Sequence, residues 1–585
     1  MCAINGYVNY DNLKNQDVNN NRKLKKILQI MNQSNRFRGP DGSDIIIDNN
    51  VGLGHNLLAI SGSSINLQPA VTDNGNIMVY NGECYDVTGF DTPYVVEQFE
   101  KRRIDFLKNI NAHFAIAFYD KKKQEITLAR DHFGVKPLFY HYTAKKLVFS
   151  STLHGIISAG VKPKPSFNII ENEDVRVHNP KLRFRVKSST KYEQMINHFY
   201  KSNGSWMGKQ IGYDNVFSLC PGQYITFSTK SARIISSGSL FDFTLENNLK
   251  DMYDIKDIIS EQVHNVGDTS KNFSIALSGG LDSGAIGSIL KNKDPYYITV
   301  TTQMNNNNQS LEENTNYSSD YYYARKNAEK FGKMLHWPAI TISNYKRLVD
   351  ETSQSLLFPA QDPARLACRL LLPEYSKMLG GKVIISGEGG DELFTGYRQH
   401  NDFFRRIGNK LEINFNSALG YSKILKKHWI EMQNEMEYFP TWCKGPDMVN
   451  NALLLSIFKS ASFFCMVQDQ LCGMHSIENR TPFLTISFVK KMLSIPSYIK
   501  FKRYKNVNSE LYHSHKYILR KCFEKDLHPE VVNRNDKSGF VSPSWHRGLY
   551  NYKYSFSGQR YKYHKETYDY VENYSNICMK KIDHI

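Results

Sequence analysis

Residues 273–290 read FSIALSGGLDSGAIGSIL. An apolar run ends in Ser278-Gly279-Gly280-Leu281-Asp282-Ser283, and a stretch of small residues follows. This order predicts a strand, a tight loop and a helix, with the loop at the carboxyl end of the strand. Glycines let the backbone approach an anion closely, while hydroxyls, amides and the helix N-terminus supply donors and positive potential. Asp282 would repel phosphate unless a cation bridges them, so Mg²⁺ is expected. A plain glycine-rich turn is the bland alternative, and the strand, loop and helix order speaks against it.

The design recurs at 382–397, KVIISGEGGDELFTGY, where a second strand runs into a turn dense with carboxylates. Glu388, Asp391 and Glu392 crowd together there, which is costly without a metal or a cationic group. Asp391 is expected to give the metal its second carboxylate, leaving Glu388 free for proton transfer. Both loops would lie at the carboxyl ends of parallel strands, describing a site for ATP that is cleaved with Mg²⁺.

At 585 residues and 41% apolar content the chain should form two or more large domains. Up to about 240 it reads as short β-branched and aromatic strands bounded by Gly, Asn and Asp, a β-rich domain of packed sheets. From about 250 short apolar strands alternate with helical segments, the pattern of a parallel sheet with crossover helices. Residues 303–319 read as a mobile loop, the chain past about 400 as mainly helical, and 163–215 and the Tyr-rich tail stay unassigned.

No secretory signal or membrane-length apolar run is visible, so a cytoplasmic protein without a membrane partner is expected. The nine cysteines form no CxxC pair, which argues against zinc and a disulfide framework and for a reducing compartment. The net charge of +17 is dispersed, so no nucleic-acid partner is expected.

SGGLDS is similar to the pyrophosphate loop of the PP-loop ATP pyrophosphatases, and SGEGGDELFTGY resembles the signature of their asparagine synthetase branch. MHSIENRTPFL (474–484), HKYILRKCF (515–523) and RNDKSGFVSP (534–543) extend the resemblance. It implies that aspartate attacks the α-phosphate of ATP, giving an acyl-adenylate and pyrophosphate, and that ammonia then displaces AMP. Carried over by motif, Leu277, Ser278, Gly279, Gly280, Leu281, Asp282, Ser283, Ser386 and Gly387 would bind ATP. Asp282 and Asp391 would hold Mg²⁺. Glu388 would manage protons, and Lys516 would stabilise charge on the reacting phosphorus. Arg365, Glu392 and Tyr397 would line the acceptor pocket.

The family pairs this synthetase with an N-terminal nucleophile glutaminase, which directs attention to the opening MCAINGY. A buried cysteine is ordinarily inert. The resemblance instead makes Cys2 the nucleophile once Met1 is removed, its own α-amino group serving as base. RFRGPDG places Arg38 near that centre. YNGECYD gives Asn81 and Gly82 to an oxyanion hole and Glu83 to the glutamine pocket, and Asp91 would receive the α-amino group of glutamine. Four departures stand out. Leu57 replaces an arginine that clamps the glutamine carboxylate, Thr152 replaces a common glutamate, and Asp362 and Thr485 replace other usual acceptor-site residues. Leucine cannot supply a charge-assisted bidentate pair.

The expected fold is therefore α/β and α+β: an αββα sandwich over 2–240, a doubly wound PP-loop domain with added helices over 241–560, and a tail at 561–585. The expected activity is glutamine-dependent asparagine synthesis, with ammonia passing internally and ATP, glutamine and aspartate as partners. Amidation of another acid (a sugar acid or a peptide), an ammonia-dependent enzyme, and an inactive scaffold stay open, and a homodimer is compatible with all of them.

Overall fold

The computed structural model describes residues 2–11, 18–60, 68–165, 211–241, 252–302, 319–358, 363–397, 400, 404–407, 410–413, 448–500, 515–534 and 556–583. The first half builds two six-stranded antiparallel sheets. Its strands are β1 (Ala3–Asn9), β2 (Gly42–Asp48), β3 (Val51–Leu57), β4 (Ala70–Val71), β5 (Ile77–Cys84), β6 (Ala112–Asp120), β7 (Glu125–Arg130), β8 (Phe139–Tyr142), β9 (Lys146–Ser150), β10 (Phe217–Ser218), β11 (Gln223–Ser228) and β12 (Ile234–Ser239). The strand orders are β10-β8-β9-β1-β3-β2 and β12-β11-β7-β6-β5-β4.

Strand β6 shows why the sheets stack. All nine of its residues are buried. Ala115, Ala117 and Tyr119 point into the core between the sheets, and Phe114, Ile116 and Phe118 point into a second core under helices. Period-two alternation thus feeds two apolar layers from one strand. The helix Thr92–Arg102 covers that outer face with Val95 and Phe99. The helix Val18–Ser34 covers the other sheet with Leu24, Ile27, Leu28 and Met31, an apolar stripe at helical spacing. These layers make the expected αββα sandwich.

The second half adds β13 (Phe273–Ala276), β14 (Tyr296–Ile298), β15 (Thr301–Thr302), β16 (Leu335–His336), β17 (Ala339–Ile340), β18 (Val383–Ile385), β19 (Phe404–Ile407), β20 (Lys410–Ile413) and β21 (Glu478–Arg480). Five of them form a parallel sheet in the order β16-β14-β13-β18-β21. The chain runs outward from β13 through β14 to β16, then returns to β18 on the other side. The topological switch point therefore falls between β13 and β18, where a ligand crevice forms. The two glycine-rich loops leave those two neighbouring strands.

The tail is a helix, Phe556–Asp583, packed on the helices Leu153–Ser158 and Ile342–Leu356. Its buried Val571 and Cys578 join a core that runs from the first half into the second. Its apolar residues are too thinly spaced among tyrosines and charges to announce a buried face. Among the described residues past 400 helices predominate, alongside the paired β19 and β20 and the edge strand ENR. The mobile-loop reading at 303–319 falls, except for Ser319, outside the described residues, as do Asp362 and most of 163–215 and 534–543. Among the described residues no helix is long and apolar enough to cross a membrane, and eight cysteines are free thiols.

Candidate active site

Cys2 enters β1 at the edge of the sandwich interior. Its backbone nitrogen donates to Asn81 Oδ1 at 3.0 Å, and its carbonyl accepts from Arg38 Nε at 3.2 Å. Were Met1 removed, that nitrogen would be an α-amino group held by Asn81 beside the thiol. Asn81 is fully buried, and its Nδ2 has no hydrogen-bond partner. A buried donor left unpaired is costly, and here it belongs to the same side-chain amide whose oxygen accepts from the Cys2 nitrogen. Gly82 is required by close approach: a methyl group there would stand 2.4 Å from the His113 carbonyl oxygen. Burial pushes the Cys2 thiol up, so it needs a base to ionise.

Asp91 Oδ2 accepts from Tyr80 Oη and from the Cys84 amide, both at 2.9 Å. Burial, reinforced by the neighbouring Glu83 charge, pushes its carboxyl up to about 7. Glu83 pairs with Arg480 at 3.1 Å, and Arg480 also pairs with Glu478 at 2.6 Å. Burial opposes ionisation of Glu478, but the N-terminal ammonium, Arg480 and Lys136 overcome it and hold the carboxyl well below its usual range. Leu57 ends β3 half-buried and brings no charge. Thr152 caps the helix Leu153–Ser158, accepting from the Gly155 amide at 3.1 Å.

At the second centre Ser278 and Ser283 fold the first loop onto itself, the Ser278 amide donating to Ser283 Oγ at 3.1 Å. Gly279, in the left-handed region at φ 67°, lets the loop turn, and its carbonyl accepts from Arg534 Nη1 at 3.1 Å. The loop meets the second one through Gly390, where a methyl would stand 2.4 Å from Asp282 Oδ1. Lys516, itself left-handed at φ 55°, pairs with Asp282 and with Asp391, the latter at 2.6 Å. Burial alone would depress its ammonium, yet the two aspartates hold it above the usual lysine range.

Two carboxylates that already close on one cation are the donors a hard divalent ion shares with phosphate oxygens, so these residues fit Mg²⁺. Among the described residues no group of three or more His, Cys, Asp or Glu is placed to hold a metal by itself. Such an ion would thus depend on the nucleotide.

A cavity of about 220 Å³ opens here, lined by Ser278, Asp282, Ser386, Glu388 and Asp391 from the loops and by Arg365, Arg369, Tyr397 and Gln468 around them. Gly387 lies on its wall, and Leu277 and Gly280 flank the loop. Glu392 is buried, accepts from Tyr397 Oη at 2.7 Å, and is pushed up to about 8 by burial and then by Asp391. Glu388 pairs with Arg369 at 2.9 Å, a partner that its motif did not announce. Arg369 lies one turn beyond Arg365 on the helix Pro363–Met378, so helical spacing brings both to the same cavity.

The sequence reading missed Arg369, Asp469, Lys136, Arg480 and Arg534. For Arg369, Lys136 and Asp469 the signal was a charge within a mainly apolar segment, which points to a paired buried ion, whereas Arg480 and Arg534 sit in polar stretches that gave no such signal. Asp469 is completely buried, 2.6 Å from Arg38 and 3.3 Å from Lys136. It sits on the helix Ser462–Met474 beside Gln468, which accepts from Arg369 at 3.3 Å. Neighbouring residues of one helix therefore reach toward both centres.

Comparison with known proteins gives matches of two kinds. The family described as asparagine synthase matches residues 254–556, and two glutamine amidotransferase domain families match 1–94 and 55–158. Asparagine synthetase [glutamine-hydrolyzing] 2 of Bacillus subtilis is 24% identical over 91% of this chain and 71% of its own length. Asparagine synthetase B [glutamine-hydrolyzing] of Escherichia coli is 22% identical over 93% and 83%. Amidase chry2 of Gibberella zeae is 22% identical over 68% and 59%.

Proposed function

The chain belongs to the asparagine synthase family, and from that premise we propose that it is a glutamine-dependent, ATP-cleaving ligase that converts aspartate to asparagine. The supporting observation is that Asp282 and Asp391, from loops on either side of the switch point, close on the single ammonium of Lys516 at the cavity.

In this reading residues 2–240 form the glutaminase, 241–560 the synthetase and 561–585 the tail, whose described part up to 583 belongs to the helix packed on both. The Cys2 thiol gives its proton to its own α-amino group and attacks the glutamine carboxamide. Asn81 Nδ2 and the Gly82 amide receive the oxyanion, Arg38 fixes the Cys2 backbone, and Asp91 holds the substrate's ammonium. Ammonia leaves, and water releases glutamate from the thioester.

At the second centre the Ser278–Ser283 loop holds the pyrophosphate of ATP while the aspartate carboxylate attacks the α-phosphorus. Asp282 and Asp391 would hold Mg²⁺, which supplies charge neutralisation of the phosphates. Lys516 then bears on the reacting phosphoryl group, and Arg365 grips the acceptor carboxylate. Glu388, oriented by Arg369, takes a proton as ammonia displaces AMP.

The test compares glutamine with ammonium as donor, with aspartate and ATP, in wild type and Cys2→Ala. Asparagine, AMP and pyrophosphate should form with both donors, and the variant should lose only the glutamine reaction. AMP formation without asparagine would overturn the choice of acceptor. Two arginines on one cavity, together with a relative called an amidase, favour a larger or more anionic acid as the second reading.

A further inference from the structure

Arg534 opens the stretch RNDKSGFVSP and has no part in the chemistry above. Its guanidinium is buried and held on three sides. Nη1 donates to the Gly279 carbonyl at 3.1 Å, Nη2 pairs with Asp320 at 2.8 Å, and the group lies 4.3 Å from the centre of the Tyr323 ring. Asp320 and Tyr323 belong to the start of the helix Ser319–Phe331. Gly279 packs directly on that turn: a methyl group there would stand 2.5 Å from the Asp320 carbonyl oxygen and 2.8 Å from the Ala324 nitrogen. One cation thus ties the Ser278–Ser283 loop to the neighbouring helix, and Asp320 lines the cavity beside Ser278, Asp282 and Ser283.

The contact sets orientation as well as position. In a planar trans peptide the C=O and the following N–H point in opposite directions. Drawing the Gly279 carbonyl toward Arg534 therefore turns the Gly280 amide away from it. Gly279 sits at φ 67°, and Gly280 is extended at φ −89° and ψ 167° as it caps the helix Leu281–Leu290. A peptide between two glycines meets the least steric resistance to flipping, so an outside contact has to hold it. The brace continues to Lys516. Arg520 donates to the carbonyls of His515 at 2.9 Å, of Arg534 at 3.0 Å, and of Val532. The backbone that carries Arg534 is in this way fastened to the backbone that carries Lys516.

We propose that Arg534 is a positioning residue for the ATP-cleaving step: by holding the Gly279 carbonyl it aims the Gly280 amide at the pyrophosphate of ATP. The inference rests on the ATP-cleaving reading above. Arg534 acts through the loop and not on a reacting atom. The pyrophosphate gains charge as it leaves, so a donor aimed in advance stabilises the transition state more than it does bound ATP. Loss of the aim should fall on kcat, with the KM for ATP little changed. A cation that only pinned the fold would act on stability and on both centres alike.

Two measurements on the full chain test it. Arg534→Met keeps the length and removes every donor. Its kcat for pyrophosphate release should fall by about 10²-fold or more, the scale of one lost oriented donor, while glutamine hydrolysis continues. Arg534→Lys keeps the charge without the fork and should recover part of that rate. If Arg534→Met does not fold, the kcat-against-KM split is read in Arg534→Lys. A raised KM with kcat retained, or equal losses of pyrophosphate release and glutamine hydrolysis with a lowered Tm, overturns the assignment. The second measurement is a crystal structure of the wild type with a non-hydrolysable ATP analogue. The Gly280 nitrogen should lie within about 3.2 Å of a β- or γ-phosphate oxygen. With the analogue bound and that amide turned elsewhere, the inference falls and the proposed function stands. Failure of the wild type to bind ATP refutes the function, and the inference falls with it.

Discussion

Arg38 Nη2 stands 2.6 Å from Asp469 Oδ2, both side chains fully buried, across 431 residues of sequence. Arg38 reaches the Cys2 carbonyl with its other edge, so the position of the proposed nucleophile is braced by a carboxylate from the synthetase half.

Removing that carboxylate should be severe. Asp469→Ala leaves Arg38 and Lys136 as uncompensated buried cations, a situation that costs roughly 3–5 kcal/mol. Denaturant unfolding should show a loss on that scale, along with loss of glutamine hydrolysis. A change below about 1 kcal/mol, the range of surface pairs, would mean that the triad is solvated in solution.

Glutamine hydrolysis should depend on pH through Asp91. Its carboxyl, raised to about 7, is protonated below that value and cannot pair with the substrate's ammonium. The kcat/KM for glutamine should therefore rise as pH passes upward through about 7, and Asp91→Asn should be low and flat. The same shift favours the folded state most fully below the ordinary carboxyl value of 3.8, and the benefit is lost as pH rises through about 7. A wild-type profile that is level from pH 6 to 8 would remove Asp91 from this role.

Asn81→Ala removes the unpartnered buried donor beside Cys2. Losing one oxyanion donor lowers kcat by about 10²–10³-fold, and glutamate release should fall on that scale. Synthesis from ammonium should be affected far less, and equal loss in both assays would point to a structural role.

Gly390→Ala would set a methyl group 2.4 Å from Asp282 Oδ1, so one of the two loops must shift. A displacement of about 1 Å costs on the order of 10²-fold in rate. Pyrophosphate release should drop by that factor while glutamine hydrolysis continues, measured separately in the same preparation. Full retention of pyrophosphate release would show that the loops do not need this approach.

Much of this was legible in the sequence because it is local. The order of FSIALSGGLDSGAIGSIL fixes a strand, a loop and a helix from adjacent residues alone, and KVIISGEGGDELFTGY repeats it. HFAIAFYD likewise reads as a strand from adjacent residues, while its service to two apolar layers was set by packing. The tail helix was not legible, since its few buried residues are set among tyrosines and become a face only against Leu153–Ser158 and Ile342–Leu356.

Side-chain chemistry across long separations was decided by the tertiary structure. The carboxylate-rich loop named Glu388 and the motif resemblance named Lys516, but neither assigned them partners. The packing of the helix Pro363–Met378 put Arg369 on Glu388, and the meeting of two loops at the switch point set Lys516 between Asp282 and Asp391. Arg38, Lys136 and Asp469 carried no shared motif at all. Local sequence determines which backbone shapes and donor groups are available, because propensity and glycine freedom act over a few residues. Which of those groups meet depends on how the sandwich and the parallel sheet bury their faces against each other, and burial is what forces opposite charges into pairs.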